Sequence, residues 1–330
     1  MTSETPRPEP TQDTRVVLGP IRHACHSCGT CCSGWRVQVR TLSERERITR
    51  QAKELGIADP IVDGSLRRVE GVCVFLREDR LCAIHARFGE EEKPIICQHF
   101  PRRSRHSEDG VRIGADPGCS ATWRTFDTGP EMPLFDVTPT AMYPFPPEIA
   151  ALESALIAVA RTPGISIGQF IASFAAEPEP ASGPPPALTA RLLTRLKEVT
   201  PYLVDQQNGR FMNAGLEPLT RFLVAFDGTL PPWPGLSPRM EAYVLDTLQR
   251  HLFLRLGDED VPPLAHALLV LGGALAAAYC DPTPEVFGPA MAAWSRLCRL
   301  EGFWVPIMPT RAFGDWILKG GELPSETVAT

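Results

Sequence analysis

A chain of 330 residues that is 43% hydrophobic has enough apolar side chain for one large core or two ordinary ones. With 22% charged residues and a mean hydropathy of -0.08 it is neither collagen-like nor wholly disordered, and no apolar run is both long and clean enough to predict a membrane span. The net charge of -6 is uneven, with 20 Lys and Arg against 18 Asp and Glu up to Thr128 and 13 against 21 beyond it, which argues against a general nucleic-acid binder.

Residues 1–20 predict a flexible tail, because Pro, Thr and charge dominate and no periodicity appears. This stretch has neither a basic start nor an apolar signal core, which predicts a cytoplasmic protein. Residues 21–128 predict a cysteine-cluster metal-binding domain, since they hold eight of the ten cysteines. In a reducing cytosol such clustering predicts metal or redox work rather than a disulfide framework.

The first cysteines, Cys25, Cys28 and Cys31, repeat at CxxC spacing and Cys32 doubles the last. A tight turn of this kind brings thiolates to one ion, and Gly29 supplies the flexible backbone it needs. Adjacent side chains normally diverge, so Cys31 and Cys32 are expected to serve two centres or to leave one spare thiol. Cys73 and Cys82 lie in VCVFLREDRLCAIH, where two apolar runs flank a polar stretch and predict a β-hairpin with both sulfurs on one face. Pro94 and Pro101 bracket Cys97 in a brief predicted helix, and Cys119 follows the turn at Pro117 and Gly118. His23, His26, His85 and His99 are alternative ligands, outer hydrogen-bond donors or solvent-facing groups. Arg102, Arg103 and Arg105 either offset metal-bound thiolates or form a solvated basic loop.

Residues 129–147 predict a Pro-rich linker, with six prolines between Gly129 and Glu148. Residues 148–320 predict a helical domain, interrupted by a Pro-rich loop at 177–186 and followed by a tail at 321–330. Helical periodicity runs through EIAALESALIAVA, ALTARLLTRLKEVTPYL, RMEAYVLDTLQRHLFLRL, LAHALLVLGGALAAAYC and FGPAMAAWSRLCRL. The fourth is short, contains His266, Gly272 and Gly273, and lacks a basic flank, so it predicts a buried bundle helix rather than a membrane span. Cys280 and Cys298 read as small buried hydrophobes. The fold class is mainly α: a small irregular α+β cysteine-rich metal-binding module followed by an all-α helical region.

The blocks C-x2-C-x2-C-C, Cys73-x-Phe75-Leu76 with Leu81-Cys82-x-Ile84, and Pro94-x-x-Cys97-x-x-Phe100-Pro101 resemble the bacterial YkgJ-type cysteine-cluster family, described as chelating zinc or iron. By position, the resemblance makes Cys25, Cys28, Cys31, Cys32, Cys73, Cys82, Cys97 and Cys119 the metal ligands. Eight thiolates suffice for two four-coordinate centres, either iron–sulfur, with a 4Fe–4S cluster favoured, or structural zinc. More narrowly, Cys31-Cys32-Ser33-Gly34-Trp35 and the run from Gly89-Glu90 to Cys97-x-x-Phe100-Pro101-Arg102 are similar to flagellin lysine N-methylases. That resemblance implies a protein partner such as flagellin, S-adenosylmethionine as cofactor and lysine methylation as activity. Against it, the first cysteines are more closely spaced than in those enzymes, and no strand, Gly-rich loop and helix follow in the order that commonly holds a nucleotide-like cofactor. A third reading makes zinc a staple for a helical interaction module. The sequence predicts neither a nucleic-acid nor a membrane partner.

Overall fold

The computed structural model describes residues 15–33, 35–134, 145–175, 183–198, 200, 210–256 and 262–299. Most of the expected N-terminal tail, the Pro-rich linker and loop, Gly34 and the C-terminal tail lie outside the described residues.

The cysteine-bearing part is a set of short elements around two small apolar clusters. Strand β1 (Arg15–Val17) pairs in parallel with β7 (Gly110–Ala115), which pairs antiparallel with β6 (Arg102–Ser107). Two tight ribbons come earlier in the chain. Strand β2 (Ile61–Val62) meets β3 (Ser65–Leu66) across Asp63 and Gly64, and β4 (Arg68–Val69) meets β5 (Val72–Cys73) across Glu70 and Gly71. All four turn residues have positive φ, which is the geometry two-residue hairpins require. Helix α1 (Leu42–Glu54) is capped by the Thr41 side chain, which accepts from the Glu44 backbone N–H. Glu44 in turn accepts from the Ile95 N–H at 2.9 Å, tying α1 to the short helix α3 (Ile95–His99). Helix α2 (Ala83–Phe88) precedes α3, and α4 (Thr122–Thr125) closes this part of the chain. Val37, Ile48, Ala52, Leu66, Phe75 and Ile84 form its small core, with Cys73, Cys82 and Cys97 packed against the edge.

The predicted hairpin at 72–85 is a correction. Only its polar turn and the first rung beyond it form, with the Arg77 N–H bonded to the Leu81 carbonyl, the Ala83 N–H to the Phe75 carbonyl and a single bridge between Leu76 and Cys82. Cys73 pairs backwards, through β4, and Cys82 is the N-cap of α2. The second apolar run is helical because Ala83 and Ile84 are buried on one helical turn instead of alternating across a sheet.

The helical half contains α5 (Pro147–Ala160), α6 (Ile167–Ala172), α7 (Pro186–Lys197), α8 (Arg210–Ala225), α9 (Pro238–Phe253), α10 (Pro263–Cys280) and α11 (Pro284–Leu297). All five predicted helices form, and α6 and α8 join them. Five of the seven begin with proline in the first turn, where the missing N–H costs nothing and φ is already set, so in these five the proline starts the helix instead of breaking it. Helix α10 runs through the middle, packed by α5, α7, α8, α9 and α11. It is long and apolar enough to cross a membrane, but 83% of its apolar window is buried within the fold, as expected of a core helix. The bundle core also takes in Trp123 from α4, so the cysteine-bearing part and the bundle share packing.

Candidate metal centre

The first cysteines lie on a loop that ends in one 3-10 turn, Thr30–Cys32, entered through Gly29 at φ 73°. That left-handed conformation favours glycine, and it directs the chain so that the adjacent Cys31 and Cys32 sulfurs come within 3.9 Å. The expected divergence of neighbouring side chains is thus overturned locally, because a tight 3-10 turn with its left-handed entry is neither an α-helix nor a strand.

The remaining cysteines arrive from separate elements. Cys73 ends β5, Cys82 caps α2, Cys97 sits mid-way along α3 and Cys119 follows the turn at Pro117 and Gly118. The short helix between Pro94 and Pro101 is present as predicted. Electrostatics reveal which thiols share space. Burial pushes the Cys73 thiol up to about 12, with the Cys82 and Cys31 thiols adding to the rise. Burial likewise pushes Cys97 well up, helped by Cys73, Cys31 and Cys82. Cys32 is raised by its hydrogen bond with Cys31, by burial and by the thiols of Cys31, Cys73 and Cys82. Cys31 is held low by that same hydrogen bond against the cost of burial, with the positive charges of Arg296 and Lys93 assisting. Cys119, pushed up to about 12 by burial, feels Cys28 and Cys31.

Cys31, Cys32, Cys73, Cys82 and Cys97 therefore form one neighbourhood, and Cys28 and Cys119 adjoin it through Cys31. Cys25 is exposed on the loop. All ten cysteines are free thiols. Among the described residues no three His, Cys, Asp or Glu side chains close into a group that could hold an ion as they stand. The sulfurs are gathered but not drawn onto one point. Even so, the donor set fits a thiophilic metal: the half-buried Cys32, Cys73 and Cys97 have thiol pKa values raised by neighbouring thiols, and a bound cation would let such groups ionise together. Of the histidines, His85 and His26 are exposed. His23 is lowered to about 4 by burial and by the nearby His26.

Several residues that the sequence did not single out border the cysteines. Asp116 is fully buried and accepts hydrogen bonds from Arg103 Nε at 2.7 Å, Arg299 Nη1 at 2.6 Å and the Gly118 N–H at 2.8 Å. Burial would raise its carboxyl, but the charges of Arg299 and Arg103 overcome that and hold it below the usual carboxylate range. Arg296 of α11 donates to the carbonyls of Gly118 at 2.7 Å, Ser33 at 2.8 Å and Thr30. Gly118 makes this approach possible: a Cβ there would lie 2.7 Å from Arg299 Nη2 and 2.8 Å from Arg296 Cγ. The signal available in the sequence was a basic pair, Arg296 and Arg299, spaced one helical turn apart at the end of an apolar helix. Of the arginines singled out earlier, Arg103 joins this cluster, whereas Arg105 donates to the Arg255 carbonyl and Arg102 to the carbonyls of Gln98 and Pro133.

With this geometry in place, the comparisons with known proteins bear directly on the cysteines. Residues 24–119 match the family model CxxCxxCC, "Putative zinc- or iron-chelating domain". The match covers the cysteine-bearing part and ends before the bundle. The uncharacterized protein MJ0939 of Methanocaldococcus jannaschii is 28% identical over 103 residues, which are 31% of this chain and 37% of that relative. The chain thus spans little more than a third of the relative's length. No solved structure matches.

Proposed function

We propose that the cysteine-bearing part binds zinc or iron through thiolates, and that the helical half covers one side of the site. The observation that carries this reading is that Cys73, Cys82 and Cys97 pack against one small apolar cluster and the Cys31 and Cys32 sulfurs lie 3.9 Å apart, with the thiols of both sets acting on one another's ionisation, inside the stretch that matches a chelating family. Those five supply a first centre; Cys25, Cys28 and Cys119 are the donors for a second. Bound metal would supply the positive charge that lets buried thiols ionise, and with iron and sulfide it would also supply one-electron chemistry. The chain's own contribution is to bring the sulfurs together and to hold guanidinium groups beside the turn that carries Cys31 and Cys32. An iron–sulfur cluster is the favoured form, because five or more cysteines with adjacent arginines suit a redox centre as well as a staple. Neither the matched family nor the archaeal relative carries a methylase description, and flagellin and S-adenosylmethionine have no part in this reading.

Elemental analysis and visible absorption of the full chain purified without oxygen test it. The expected result is metal in stoichiometric amount, sharply reduced in Cys97→Ser and Cys73→Ser and unchanged in Cys298→Ser, whose thiol is buried in the bundle core. Brown colour selects iron over zinc. A folded chain that stays metal-free after reconstitution with Zn(II), or with Fe(II) and sulfide, would overturn the reading.

A further inference from the structure

Three guanidinium groups surround one indole next to the cysteine loop. The guanidinium carbons of Arg103, Arg296 and Arg299 lie 5.3, 5.4 and 5.1 Å from the Trp35 ring centroid. Two of them come from the end of α11, far along the chain. The Arg296 residue is only 3% exposed and the Arg299 side chain 7%. Asp116 is shared by Arg103 and Arg299, but among the described residues no carboxylate pairs with Arg296.

A buried guanidinium with carbonyl partners and no counter-ion is costly, and fold specificity alone rarely demands it. Three donors in this enclosure are also left over: Arg296 Nη2, Arg299 Nε and Trp35 Nε1 are buried without a hydrogen-bond partner. Unsatisfied buried donors together with unbalanced positive charge mark a place built to face negative charge. The cage holds three guanidiniums against one carboxylate, an excess of two positive charges. Four thiolates around a divalent ion, or around a doubly charged cluster core, leave two negative charges. Arg296 also donates to the carbonyls of Thr30 and Ser33, which flank Cys31 and Cys32.

We propose that Arg296, supported by Arg299 and Arg103, is the charge-compensating positioning residue of the cysteine centre. Its guanidinium offsets the anionic metal–thiolate group while its hydrogen bonds hold the turn that presents Cys31 and Cys32. This inference rests on the metal reading above and adds a dependence to it: metal retention in the cysteine-bearing part depends on the last turn of the bundle's final helix. Arginine suits the task because its planar fork serves several carbonyls at once and keeps its charge when buried.

The test uses the full chain loaded with Zn(II) and challenged with excess EDTA, following metal loss over time and helical content by circular dichroism. Arg296→Gln is expected to lose metal roughly 10- to 100-fold faster than the parent chain, as substitutions beside metal ligands do. Arg296→Lys, which keeps the charge and part of the donor capacity, recovers a share of that loss. Arg103 lies at the half-exposed rim and makes no bond to the 30–33 turn, so Arg103→Gln removes charge and the Asp116 contact without touching that turn and is expected to show a smaller acceleration; it also carries the test if Arg296→Gln fails to fold. Wild-type release rates in both Gln variants, with circular dichroism unchanged, would overturn the proposal. A silent Arg103→Gln, with Arg296→Lys as poor as Arg296→Gln, would overturn the charge role and leave only a turn clamp. A parent chain that binds no Zn(II) or iron in the first place would sink the metal reading itself, a result distinguishable from either.

Discussion

His251 and His266 meet in the centre of the bundle, with Nδ1 of the first 2.9 Å from Nε2 of the second, and His251 Nε2 bonds the Ser295 hydroxyl. The sequence placed His266 in a buried bundle helix, but nothing in it joined this residue to others on α9 and α11. Desolvation lowers both imidazoles, His266 from its ordinary 6.5 to about 3, with the positive charge of Arg299 acting on both and the negative charge of Asp116 partly opposing it at His251. Above 6.5 both the folded and the unfolded chain hold these rings neutral. Below 6.5 the unfolded chain takes up protons that the folded one refuses, so stability falls with falling pH, for His266 until about 3, at up to about 1.4 kcal/mol per pH unit for each ring that the folded chain keeps neutral. Urea unfolding of the parent chain across that window should show this slope, and His266→Gln should show a shallower one. Equal slopes in the two chains would mean that His266 is not the group refusing the proton.

Helix packing turns on small residues whose role the sequence only hinted at. A Cβ on Gly273 would sit 2.1 Å from Trp294 Cδ1, and one on Gly272 2.6 Å from a Leu196 methyl, so this glycine pair lets α11 and α7 press against α10. Trp294 repays that close approach by donating its indole N–H to the Leu269 carbonyl at 2.9 Å. Gly273→Ala is expected to destabilise the fold by about 1–3 kcal/mol through overpacking, read as a lower urea midpoint with an unchanged slope; an unshifted midpoint would show that Trp294 can move aside. Gly288 does the same for Trp123, whose Cδ1 would lie 2.4 Å from an added Cβ, and this joins α4 to α11. The long amphipathic helices were legible because each repeats its apolar face over three or more turns. The segment at 72–85 was not, because runs of four apolar residues suit a strand and a buried helical turn equally, and the decision fell to the core around Phe75 and Ile84.

Across the whole molecule, charges hold the two halves together. Arg112 on β7 donates to Glu153 on α5 at 2.6 Å, and Glu153 also accepts from Arg255, which reaches on to Glu108. Arg239 at the start of α9 pairs with Asp127 at 2.8 Å while stacking over Trp123. Glu153 is only 1% exposed and stands between two buried arginines; Glu153→Gln leaves Arg112 with Asp109 and Arg255 with Glu108 as remaining carboxylate partners, and is expected to cost about 1–3 kcal/mol through the lost charge-assisted hydrogen bonds. Chemical denaturation measures this, and a loss under about 1 kcal/mol would show that solvent or a rearranged Glu108 takes over. Arg296 adds hydrogen bonds from α11 to the Thr30 and Ser33 carbonyls of the cysteine loop, so a weakening of the bundle would be felt in the cysteine-bearing part before that part itself is altered.

The sequence by itself determined the presence of a cysteine-rich part ahead of a helical one, the five long helices, the brief helix between Pro94 and Pro101, and the thiols available to a metal. These are local properties, set by spacing, periodicity and proline chemistry within a few turns of chain. Tertiary structure alone decided that Cys31 and Cys32 point together, that Cys73 pairs through β4 and not across to Cys82, and that Arg296 and Arg299 bond Gly118 and Asp116, more than 170 residues earlier. Such neighbours carry no periodic signal, because a buried charge is placed by the one partner it must satisfy, wherever in the chain that partner lies.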